Sequence, residues 1–152
     1  MSYLTLDFVG LFILFAGFII GLGAVTVIDL HGFLGRKSTY WTEATTRTHK
    51  VTKPLIWLGM FLVIIGESIL YRDIGLNSVT IYHIITAFIM IVNGIFLSFS
   101  VSPFLIKREL EGRSKDLLPN SWQTKITVSF LVSFVCWWSN LAVVVLFLVS
   151  KF

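Results

Sequence analysis

Four apolar runs, at 8–28, 54–71, 81–104 and 126–149, leave this chain few ways to fold. A hydrocarbon core of ~30 Å is crossed by about twenty helical residues, and inside it the backbone must satisfy its own polar groups. The sequence therefore predicts an all-α, polytopic membrane protein: an up-down bundle of four transmembrane helices in one domain over 1–152. Only 13% of residues are charged, against about a quarter in soluble domains, and the deficit lies in the four runs. The first seven residues lack Lys and Arg, so no secretory signal peptide is expected there.

The net charge of +4 is no nucleic-acid signal in such a chain, because basic residues collect in the cytoplasmic loops of membrane proteins. Arg36, Lys37, Arg47, Lys50 and Lys53 lie in the first long loop, and Lys107, Arg108, Arg113, Lys115 and Lys125 in the second. Only Arg72 and Lys151 lie elsewhere. That asymmetry predicts cytoplasmic long loops, both termini outside and residence in the cell (inner) membrane. Within the first long loop, a short interfacial helix is expected with Ser38 as its N-cap. Trp41, Ala44, Thr48 and Val51 form its apolar face, with Glu43, Arg47 and Lys50 opposite. Pro54 either starts the next span or kinks a continuous helix.

In the first span, Gly10, Gly17, Gly21, Ala24 and Gly32 share one side. Gly17 and Gly21 form a GxxxG that lets a backbone come close, either another helix of the bundle or the same helix of a second copy. A homo-oligomer, or a partner membrane subunit docked on this seam, follows from the second case.

The second and third spans form a hairpin about Gly75. Glu67 and His83 are equidistant from that glycine, as are Met60 and Met90, so the antiparallel hairpin sets each pair at one level. Ile56, Met60, Val63, Glu67 and Tyr71 share a helical face; His83, Ala87, Met90, Gly94 and Val101 share the facing one, with Thr86 and Asn93 at its edge. Ionisable groups inside a span are expensive and mark functional candidates. Three readings compete for Glu67 and His83: a structural pair pinning the hairpin, a proton relay, and a metal site extended by Met60 and Met90. Thioethers select Cu(I), but the methionines lie one heptad, ~10 Å, below the Glu–His level.

Haem calls for facing axial ligands. His83 is at the opposite end from His31 and His49, so only the latter two are candidates for a shared cytoplasmic-side haem; headgroup contact is the other use of His49. The fourth span carries a milder polar stripe of Ser129, Ser133, Cys136 and Asn140, which predicts interhelical hydrogen bonds, including Asn93 to Asn140. Cys136 has no base within a turn, and no nucleotide loop, GxSxG or HExxH occurs, so catalysis has no positive sign.

The stretches GLGAVTVID (21–29), KPLIW (53–57) and VSP (101–103) resemble small uncharacterised bacterial four-helix membrane proteins. These are loosely similar in architecture to the membrane domain of copper-resistance D proteins and to membrane-bound protoporphyrinogen oxidase. The residues themselves point to a small membrane accessory or binding protein with a metal ion or a proton at Glu67 and His83, the alternative being a structural or assembly subunit of a larger membrane complex without chemistry of its own. The resemblance adds only copper or haem as the cofactors associated with those groups. Those groups often carry a histidine early in the first helix; residues 5–20 hold none here, so no ligand is carried over.

Overall fold

A computed structural model describes residues 3–150. Helix α1 is Tyr3–Leu34, α2 is Thr39–Leu70, α3 is Ser78–Phe96, α4 is Ser102–Leu110 and α5 is Asn120–Val149. A five-residue π-helical turn, Leu97–Val101, joins α3 to α4, so Ser78–Leu110 is one long rod. No strand occurs among the described residues, and four helical rods are long and apolar enough to cross a membrane. Each rod overshoots its predicted span, because the amphipathic flanks continue the helices rather than forming loops.

The burial pattern is reversed relative to a water-soluble protein. Asn140 is 0% exposed and His83 2%, while Phe12, Ile19, Phe88 and Phe99 are 65–76% exposed. Large apolar side chains pointing outward on every rod require an apolar surrounding.

Helix α1 lies closest to α2, and α5 packs on both α1 and α3. Glycine sets the first contact. A Cβ on Gly59 would collide with the backbone of Gly21, and one on Gly17 would stand 2.7 Å from Val63 N. A Cβ on Gly21 would strike Trp137 of α5, and one on Gly66 would come within 2.6 Å of Leu14 N. The glycine seam is therefore filled by the chain's own α2 and α5, which leaves no room for a second copy along it. Gly59 and Gly66 complete that seam from the other side.

Local chemistry sets the helix ends. Ser38 Oγ accepts from Trp41 N at 3.5 Å, and Asn77 with Thr80 makes a reciprocal capping box. Gly75 takes φ +68°, a conformation L side chains rarely adopt, in the loop between α2 and α3. Pro54 lies inside α2 without ending it, so the predicted interfacial helix is the first half of a continuous rod. Its inward face is also different from the expected one. Thr42, Thr45, Thr46 and Thr52 are buried, whereas Val51 is 63% exposed. Thr45, Thr46 and Thr52 donate their hydroxyls to carbonyls four residues back and thereby bury as satisfied groups.

The π turn has a cause in Pro103. Proline cannot donate to the carbonyl four residues earlier and crowds it, and a widened turn relieves that clash. The second long loop is shorter than expected, since α4 runs to Leu110 and α5 starts at Asn120. Buried Arg108 organises it by donating to the carbonyls of Asp116, Arg113 and Leu117, the first at 2.8 Å.

The first turns of α1 and the last turns of α5 reach the α2–α3 loop. Arg72 pairs with Asp7 at 2.6 Å, and the rings of Tyr71 and Phe147 meet at 5.0 Å. The two basic loops share the other end, tied by Lys50 to Glu109 at 2.7 Å.

Candidate functional sites at the two ends of the bundle

At the end near Gly75, α2 and α3 bring the predicted pair together. His83 Nδ1 lies 2.8 Å from Glu67 Oε1, close in distance but off the line of an ideal hydrogen bond. The other ring nitrogen, Nε2, lies 3.3 Å from the hydroxyl of Tyr71. Tyr71 is one helical turn beyond Glu67, so both reach His83 from one face of α2. Glu67 is 7% exposed. The imidazole is thus clamped between a carboxylate and a phenol, and sequence reasoning placed Tyr71 on that face without assigning it this contact.

One turn deeper, Thr86 Oγ1 donates to Asn140 Oδ1 at 2.6 Å, which leaves Asn140 Nδ2 without a partner. The expected Asn93–Asn140 bond does not form. Asn93 instead donates Nδ2 to Ser133 Oγ at 2.8 Å and to Ser129 O at 3.0 Å, and accepts from Ser129 Oγ at 2.7 Å. The two asparagines stand two turns apart on the α3–α5 seam, so each takes the hydroxyl at its own level. Such bonds contribute about 0.6 kcal/mol each.

Between these levels lies an apolar layer. Met60, Met90, Cys136 and Trp137 all belong to the core cluster, with Phe18 edge-on to Trp137 at 6.1 Å. Trp138, by contrast, is 45% exposed. The methionines are core filler between the two polar levels. Among the described residues no three His, Cys, Asp or Glu side chains converge as metal ligands.

At the basic end residues of all four rods line a cavity of about 100 Å³. The π turn lines it, and Trp57 Nε1 donates to Ser98 Oγ there at 3.1 Å. His49 contributes to its wall, while His31 lies apart with its ring 5.2 Å from that of Trp41. The two histidines therefore do not line one cavity, and that cavity is well below the ~300–1,000 Å³ of pockets that hold drug-sized ligands. Sequence reasoning missed the cavity. Its readable signal was Thr42, Thr45, His49 and Thr52, a polar stripe at three- and four-residue spacing that a helix gathers on one face.

Compared with known protein families, curated proteins and solved structures, the chain shows no match.

Proposed function

We propose that this chain is a small multi-pass membrane protein of the binding or accessory kind, whose Glu67–His83–Tyr71 group takes up and releases a proton at the outer face. The observation that carries this reading is the buried imidazole held at both nitrogens, by a carboxylate at 2.8 Å and a phenol at 3.3 Å. Carboxylate and imidazole are the side-chain pair that trades protons near neutrality. A metal is less well served, because among the described residues no third His, Cys, Asp or Glu side chain joins Glu67 and His83 there. The apolar layer of Met60, Met90 and Trp137 interrupts any polar chain through the bundle, which favours proton binding over conduction.

Infrared difference spectra taken across a pH step should show a carboxyl band that Glu67→Gln removes and Tyr71→Phe displaces. A spectrum unchanged by Glu67→Gln would rule the proposal out. Copper or zinc retained by purified protein, and lost on Glu67→Ala with His83→Ala, would replace the proton by a metal.

The outer placement rests on the ten basic residues of the long loops. Leu76, 79% exposed beside Gly75, offers a test: Leu76→Cys in a Cys136→Ser background should react with an impermeant maleimide on intact cells. Reaction only after permeabilisation would invert the topology.

A further inference from the structure

The cavity at the basic end is lined by an acidic and a basic side chain that do not meet, with Arg36 at its edge. Asp29 from α1 and Lys53 from α2 both line it, yet neither belongs to an ion pair among the described residues. Asp29 Oδ2 is buried with no hydrogen-bond partner. Lys53 Nζ has one long contact, 3.5 Å, to Ser98 O, a carbonyl of the π turn. His49 Nε2, in the same wall, is also buried and unpartnered.

Removing a charge from water is costly unless an opposite charge or hydrogen bonds replace the solvent. Direct pairing would satisfy both groups, but here a space of about 100 Å³ lies among them. That space is small, and it offers the Asp29 carboxyl, the Lys53 ammonium, the Arg36 guanidinium and the His49 imidazole to whatever enters. A plain cation would be repelled by Lys53, and a plain anion would leave the Asp29 carboxyl unsatisfied.

We infer that this cavity binds a small zwitterion, with its ammonium on the Asp29 carboxylate and its oxyanion on Lys53 and His49. Trp57 and Ile56 supply the apolar wall beside it. Two sources carry that chemistry: the ethanolamine headgroup of a phospholipid, entering at the level where the rods leave the bilayer, and a free amino acid or phosphoethanolamine. Choline headgroups lack the N–H donors that Asp29 would bind.

The experiment uses full-length protein in nanodiscs of mixed phosphatidylcholine and phosphatidylethanolamine, with bound lipid counted by native mass spectrometry. In parallel, O-phosphoethanolamine and glycine are titrated into detergent-solubilised protein by calorimetry. Enrichment of phosphatidylethanolamine identifies the headgroup, whereas binding of the soluble probes without lipid enrichment identifies the free zwitterion. In either case Asp29→Asn and Lys53→Gln should each weaken binding by about tenfold, the loss of one charge-assisted contact. Unchanged melting and retention volume of both variants establish that the fold is intact. Equal retention of choline and ethanolamine lipids together with no soluble binding overturns the inference. So does tighter binding on Lys53→Gln, which marks a simple cation site, or tighter binding on Asp29→Asn, which marks a simple anion site.

Discussion

Gly59→Leu is expected to abolish the folded bundle, read as loss of the monodisperse peak and of the cooperative melting transition in mild detergent. The reason is backbone on backbone. A single Cβ at Gly59 already collides with Gly21, and stands 2.8 Å from Gly17 O. A side-chain neighbour can rotate away, but a helix backbone moves only as a rod. Overpacking costs about 1–3 kcal/mol where side chains can yield, and more is expected where they cannot. Separating α1 from α2 also uncovers Leu14, Phe18 and Val63, which anchor the core cluster. Gly23 is the matched control, since a Cβ there meets nothing within 4 Å, and Gly23→Leu should melt like the parent. If Gly59→Leu also melted like the parent, the close α1–α2 crossing would be wrong.

Glu67→Ala is the second large effect. Removing one member of a buried pair leaves the other without compensation, which costs about 3–5 kcal/mol. His83 would keep only its 3.3 Å contact to Tyr71 in an otherwise closed site. Replacing both partners by apolar residues of similar volume removes the desolvation penalty together with the attraction and is often close to neutral. Glu67→Met with His83→Leu should therefore recover most of the stability that Glu67→Ala loses, while abolishing the carboxyl band of the pH-step spectrum. Denaturant titration of the single and double variants measures this directly. A single substitution costing under about 1 kcal/mol would place the pair in a solvated, exposed setting.

Individual residues show where sequence reading succeeded and where it stopped. Met60, Val63, Glu67, His83, Met90 and Val101 were placed on inward faces by helical periodicity, and all are buried. The hairpin symmetry about Gly75 brought Glu67 to His83. The partners of Asn93 and Asn140 were misassigned, because a two-turn offset along α3 and α5 decides which hydroxyl each amide meets. Before Pro54 the sequence put Trp41, Ala44, Thr48 and Val51 on the apolar face and assigned no face to Thr42, Thr45, Thr46 and Thr52. In the structure, Thr45, Thr46 and Thr52 satisfy their hydroxyls on their own backbone and turn inward.

Hydropathy, periodicity and charge belong to single helices, and the sequence by itself determined what depends on them: four rods, the inward faces of the Glu67 and His83 spans, and the asymmetry of basic residues between the two ends. Only the tertiary structure decided how the rods fit together. Whether the Gly17–Gly21 seam met α2 or a second copy depended on Gly59 and Gly66, some forty residues away. The cavity lies where the π turn before Pro103, Trp57 of α2 and Asp29 of α1 come together. Close packing and unpaired charges are properties of several helices at once, and no window along one chain segment contains them.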